Sequence, residues 1–122
     1  MMSRSVEEIV QDYYTDMQQA FKTGKLNLNK LHLAEDILFL RPDKRFEGKQ
    51  NVEKMLQELF VPSIKRYQIV HQFHDKTSSC YVIDCITKKS VTIPTVEWLK
   101  VKDGKIYEIH HFFDPTLWTM PL

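Results

Sequence analysis

Glu97 stands inside the apolar run Val96-Glu97-Trp98-Leu99. A carboxylate among such side chains is costly unless it is paired, protonated or facing a wet cavity. A carboxyl held in its acid form gives a proton or a hydrogen bond to an oxygen that gains charge, which is general acid chemistry. Two further groups fall near it when the hairpins are drawn. If Lys102-Asp103-Gly104 is a three-residue loop, Val101 pairs with Lys105, Glu97 with Ile109 and Thr95 with His111, and directly paired residues share a face. His111 is then a neutral imidazole beside Glu97, suited to carrying a proton. If Lys88-Lys89 closes a two-residue loop, Thr87 pairs with Ser90, and Cys80, Val82 and Asp84 join the same face. Asp84 becomes a second carboxylate there, although a one-residue slip would turn it to the other side. The plain alternative for either acid is a rim carboxylate paired with a Lys or His.

Other chemistries find less support. His71 and His74 are three apart on a strand and face opposite sides, as do the adjacent His110 and His111. Neither Cys-x-x-Cys nor His-Glu-x-x-His spacing occurs, so no metal is expected. The three glycines, at 24, 48 and 104, are isolated, which leaves no backbone cradle for a nucleotide, and no cofactor is expected. Ser63, Ser78, Ser79 and Ser90 sit at element ends, where capping and turns are their ordinary work. The chain balances 17 basic against 16 acidic residues without a Lys/Arg cluster, which speaks against nucleic acid or an anionic membrane as partner. No apolar run approaches the ~18 residues of a membrane span, and the start lacks the apolar stretch of a signal peptide. A cytoplasmic location is expected. Cys80 and Cys85 lie an odd number of residues apart on a strand and point to opposite faces, so they read as free thiols, in keeping with a reducing compartment.

The elements that must position these groups follow from periodicity. The 122 residues, 43% hydrophobic, suffice for a single domain over 1–122 with one core. Val6, Ile9, Val10, Tyr13, Met17, Ala20 and Phe21 recur at three- and four-residue steps and predict a helix from Ser5 to Thr23. Ser5 with Glu8 has capping-box spacing, and Gly24 stands where a left-handed cap is expected. A short helix follows within Leu26 to Leu33, then a strand Ile37 to Leu40, a turn at Arg41-Pro42-Asp43 and a return through Phe46. Gly48 opens a second helix, striped by Val52, Met55, Leu56, Leu59 and Phe60, which Pro62 ends. Four strands come next: Ile64 to Phe73, Ser79 to Thr87, Val91 to Val101 and Ile106 to Phe113. Helices first and an antiparallel meander after make an α+β domain with helices packed on one sheet face.

This order resembles the SnoaL-like and nuclear transport factor two-like proteins, the cone shared with ketosteroid isomerases. The residues that carry the resemblance are Tyr13-Tyr14, Ala34-Glu35-Asp36, Phe46-Glu47-Gly48, the run from Val96 to Ile106 through Asp103-Gly104, and Phe112-Phe113-Asp114. The resemblance implies a curved antiparallel sheet forming a cone around the N-terminal helices, its concave face lining a cavity. It places Glu97 at the position of the acid that donates a hydrogen bond to the enolate in ketosteroid isomerases, and Tyr14 nearest their hydrogen-bonding Tyr. Their general base, an Asp before Pro, is replaced by Arg41, which cannot accept a proton. Arg41 reads as a solvated turn residue, or otherwise as a contact for an anionic ligand.

The opposite sheet face carries Val96, Trp98 and Phe112, joined in this register by Tyr81, Ile83 and Cys85, and is too apolar to stay bare. A homodimer through that face is expected, and the resemblance implies sheet-face dimers. Cover by Leu117, Trp118, Met120 and Leu122 of the tail is the rival. The functional expectation is a SnoaL-like domain that binds a small apolar or carbonyl-containing ligand. As an enzyme it would be an isomerase or cyclase working by proton transfer on a carbonyl or polyketide-like compound, with Glu97, Tyr14, His111 and Asp84 as site residues. The alternative is a non-catalytic ligand-binding or homodimerisation module.

Overall fold

The structure, a computed structural model, describes residues 4–118, so Met120 and Leu122 of the tail lie outside the described residues. Helix α1, Val6–Thr23, begins at Ser5, whose hydroxyl accepts from the Glu8 amide while the Glu8 carboxylate accepts from the Ser5 amide. The Ser5 and Glu8 amides, which have no intrahelical acceptor, are thereby satisfied. Gly24 ends the helix with φ 85°, a left-handed conformation that glycine adopts at little cost. The segment expected as a short helix shrinks to a 3₁₀ turn at Leu28–Lys30, and strand β1 already starts at Leu33, giving Leu33–Leu40.

β2, Arg45–Glu47, folds back on β1. Helix α2, Lys49–Met55, continues as a π-helical turn, Leu56–Phe60, and closes on a last α turn, Val61–Ser63. Pro62 sits within that last turn, directly after the π-helical one, and the helix ends one residue beyond it. The sheet continues with β3, Ile64–His74; β4, Ser78–Thr87; β5, Thr92–Lys102; and β6, Lys105–Phe112. Strand order is β2-β1-β6-β5-β4-β3, and every neighbouring pair is antiparallel except β1 with β6, which run parallel. Helix α1 crosses the concave side of this curved, unclosed sheet. There Ile9, Val10, Tyr13, Met17 and Ala20 meet Ile83, Ile93, Leu99 and Ile109 in a single core.

Two hairpin loops differ from expectation, each by one residue. The β5–β6 loop holds two residues, Asp103 and Gly104, at φ 52° and 74°, closed by Lys102 paired with Lys105. Two consecutive positive φ angles match the right-handed strand twist, which is why Asp-Gly favours this turn. A bulge then shifts the ladder between Lys100 and Val101, leaving Tyr107 without a partner. The second shift restores the faces: Glu97 and His111 lie on the concave side, and they are direct partners.

The β4–β5 loop has no such compensation. It holds three residues, Lys88 to Ser90, closed by the Thr87 amide on the Val91 carbonyl, with Ser90 left-handed at φ 65°. Ile86 pairs with Thr92 and Tyr81 with Glu97. Tyr81, Ile83 and Cys85 therefore face the core and not the convex side, while Cys80, Val82 and Asp84 face outward. Both cysteines are free, Cys80 half-buried and Cys85 buried, on opposite faces as expected.

Candidate functional site

The strand ladders set one row of side chains across the concave face. Tyr81 on β4 pairs with Glu97 on β5, and Glu97 pairs with His111 on β6. Leu40 of β1 pairs in parallel with His110, so Arg41, one residue on, comes alongside His111. Arg41 keeps the inward parity of Ile37 and Phe39. Its side chain is only 5% exposed, so the solvated-turn reading of Arg41 is corrected: the backbone turns at Arg41, but the side chain points in. Asp84 is not part of the row. It pairs with Gln68 and Pro94 on the convex face, and the three-residue β4–β5 loop is the reason.

Helix α1 brings in Tyr14. One turn further along, the Gln18 amide clamps the helix to β3, donating to the Tyr67 carbonyl at 2.6 Å and accepting from the Tyr67 amide at 2.9 Å. Residues four apart on a helix lie one above the other, so this clamp also fixes Tyr14. The Tyr14 ring stacks on Tyr81 at 4.1 Å between centroids, and its hydroxyl donates to Glu97 Oε1 at 2.6 Å.

Glu97 and His111 are both fully buried, and His111 Nε2 lies 3.7 Å from Glu97 Oε2. Burial disfavours the charged form and pushes the Glu97 carboxyl up to about 7, although the Tyr14 hydrogen bond pulls the other way. Burial, with the Arg41 charge added to it, holds the His111 imidazole neutral down to about 3. The contact therefore joins a carboxyl to a neutral imidazole. At neutral pH His111 is better suited to hydrogen bonding than to carrying a proton. Burial first, and the Glu97 charge second, push the hydroxyls of Tyr13, Tyr14 and Tyr67 well above the usual phenol range.

Several of these buried polar atoms find no hydrogen-bond partner among the described residues. They are Glu97 Oε2, both ring nitrogens of His111, the hydroxyls of Tyr13, Tyr67 and Tyr81, Arg41 Nε and Trp118 Nε1. Buried polar groups are paired as a rule, so such a concentration on one side of a sheet sets this region apart from the rest of the core. Sequence reasoning named Tyr14, Glu97 and His111 but missed Tyr81 and Trp118. The parity of Arg41 with Ile37 and Phe39 was the available signal for its inward side chain. Among the described residues no group of His, Cys, Asp and Glu is placed to hold a metal ion, and no helix is long and apolar enough to cross a membrane.

The sequence matches the family model of the SnoaL-like domain over residues 10–109. No curated protein matches it. Similar solved structures include a nuclear transport factor two-like protein of unknown function from Cytophaga hutchinsonii, 20% identical over 95% of this chain and 96% of that one, with a TM-score of 0.72. A candidate ketosteroid isomerase from Kribbella flavida is 16% identical over 89% of this chain and 77% of that one, with a TM-score of 0.75. A candidate polyketide cyclase from Sinorhizobium meliloti is 12% identical over 85% of this chain and 93% of that one, with a TM-score of 0.71. At such identities the likeness is one of fold. The family match spans most of the chain from α1 to β6, and the chain belongs to the SnoaL-like domain family.

Proposed function

We propose that this domain binds a small carbonyl compound on the concave face of its sheet and moves a proton on it, as an isomerase or cyclase would. The observation that carries this reading is the division of labour between the two oxygens of Glu97. Oε1 accepts the Tyr14 hydroxyl at 2.6 Å, which leaves the acid proton to Oε2, the oxygen without a partner among the described residues. With its acidity weakened to about 7, the carboxyl is about half protonated at neutral pH and largely protonated below it, and it still gives up its proton readily. A ligand carbonyl placed at Oε2 takes that proton on its oxygen while water takes the α-proton, giving an enol and leaving Glu97 ionised. The neutral His111 offers a further N–H beside it, and Tyr14 acts through Glu97 by fixing its orientation. The interior row contains no second carboxylate, so in the reverse direction the ionised Glu97 recovers its proton from the enol hydroxyl while water returns one to the α-carbon.

The second reading, a non-catalytic ligand-binding module, is favoured by Arg41, which stands where ketosteroid isomerases carry their base. Deuterium exchange separates the two. The protein is incubated in D2O with 2-tetralone, an enolisable aryl ketone, and loss of the α-proton signal is followed by proton NMR. Catalysis predicts accelerated exchange that falls by about 10²–10⁴ in Glu97→Gln, the usual worth of a general acid–base group. Ketone binding with exchange no faster than in buffer selects the binding module. We also propose a homodimer through the convex face at Trp98, Val96 and Phe112, of which Trp98 and Phe112 are large exposed aromatics.

A further inference from the structure

Arg41 and His111 share three aromatic neighbours. The Arg41 guanidinium carbon lies 6.0 Å from the Phe60 ring centre, 5.0 Å from Phe113 and 5.5 Å from Trp118. The His111 ring lies 5.4, 4.8 and 6.2 Å from the same three rings. The π-helical turn supplies Phe60, the end of β6 leads into Phe113, and the following 3₁₀ turn, Pro115–Leu117, delivers Trp118. Together they form an aromatic box with a cation at one end and the Glu97–His111 pair at the other.

The box contains two buried donors without an acceptor. Arg41 Nε and Trp118 Nε1 are both sealed from solvent and have no hydrogen-bond partner among the described residues. The carboxylate that approaches Arg41 is Asp43, at 3.5 Å from Nε, and its side chain is 41% exposed, so water weakens the pair. Rings stacked on a guanidinium hold it by cation–π attraction but supply no acceptor lone pairs. Such donors are matched by a group that offers several acceptor lone pairs and a negative charge in one plane. A carboxylate meets a guanidinium fork in that way.

We propose that the box around Arg41 is an anion subsite, and that the ligand of this domain carries a carboxylate bound by Arg41 and Trp118, with its carbonyl reaching Glu97. The inference rests on the reading of the concave face as the ligand site and adds the charge of the ligand. Arg41 and Glu97 are two strand spacings apart at the backbone, roughly 10 Å, with His111 on the strand between them. The substrate class is thus a keto acid whose carboxylate and carbonyl are separated by an apolar or aromatic segment. A residue that would abolish proton abstraction in a ketosteroid isomerase becomes the one that selects an anionic substrate.

The test compares two probes of one shape, 2-naphthoate and 2-naphthamide, titrated into the full chain and followed by NMR. The two indole N–H signals report on opposite faces: Trp118 lies in the box, and Trp98 lies on the convex side as an internal control. The expected result is a shift of the Trp118 signal alone and affinity for 2-naphthoate higher than for 2-naphthamide by about tenfold or more. Arg41→Gln, which retains a planar side chain for the rings, should abolish that preference and leave 2-naphthamide binding within about threefold. Arg41→Lys keeps the charge without the fork and should retain part of the preference, and unfolding curves of both variants establish that they fold. Equal affinity for the two probes at Trp118 overturns the anion subsite and leaves the concave-face reading standing. A preference that survives Arg41→Gln overturns the role of Arg41. Binding of neither probe at Trp118 overturns both readings together.

Discussion

Burying Glu97 beside His111 sets two pH dependences of opposite sign against each other. The folded state keeps the Glu97 proton up to about 7, whereas an exposed Glu releases it near 4.5, so stability from this group falls as pH rises between those values. The loss is complete above about 7 and amounts to about 3 kcal/mol. His111 stays neutral in the folded state down to about 3, whereas a free imidazole protonates near 6.5, so stability from this group falls as pH drops from 6.5 toward 3. Between about 4.5 and 6.5 the two slopes nearly cancel. Glu97→Gln should therefore show stability that climbs with pH across that window, and His111→Gln stability that declines. Urea denaturation at a series of pH values measures both slopes relative to the unsubstituted protein. Parallel curves for all three proteins would show that the pair is not held as described.

At the scale of elements, the site depends on two hairpins and one clamp. The Asp103-Gly104 turn and the bulge at Tyr107 together bring His111 opposite Glu97, and either one alone would turn His111 to the convex face. Nothing lies within 4 Å of a Cβ built on Gly104, so the cost of Gly104→Ala is that of its φ of 74° alone. That cost should be about 1–2 kcal/mol, visible as a lower urea midpoint at unchanged slope. The backbone fold, and with it exchange on 2-tetralone, should be retained. Loss of exchange in a folded Gly104→Ala protein would mean that the two-residue turn cannot keep its register without glycine. The Gln18 clamp does the corresponding work for the helix, since it holds α1 where the Tyr14 hydroxyl meets Glu97.

The convex face carries the largest exposed aromatic side chains. Phe73, Phe112 and Trp98 are 60%, 52% and 38% exposed there, around a shallow groove of about 500 Å³ that Val96 and Cys80 also line. Exposed aromatics in one patch are what a symmetric interface buries. Trp118 does not cover them, because it packs inward against Phe60 and Phe113. Light scattering after size exclusion should give twice the chain mass of 14.6 kDa. Trp98→Glu should halve that mass while leaving the Trp118 environment unchanged. A monomeric unsubstituted protein would remove the dimer from the proposal and leave the concave site untouched.

Local pattern determined most of this architecture. The capping box at Ser5, the left-handed cap at Gly24, the apolar stripes of the two helices and the four long strands were all legible, because each depends on neighbours no more than four residues away. Glu97 was legible too, since a carboxyl in an apolar strand conflicts with its surroundings wherever the strand lies. The faces of β4 were not, because loop length sets register and one residue inverts every side chain: Asp84 left the site, and Tyr81 entered it. The tertiary structure alone decided the state of Arg41. Its sequence neighbours form a turn, but its surroundings come from β6, the π-helical turn and Trp118, far apart along the chain and brought together by the parallel pairing of β1 with β6. A charge acquires its role from what desolvates it, and in this protein the desolvating groups are all distant in sequence.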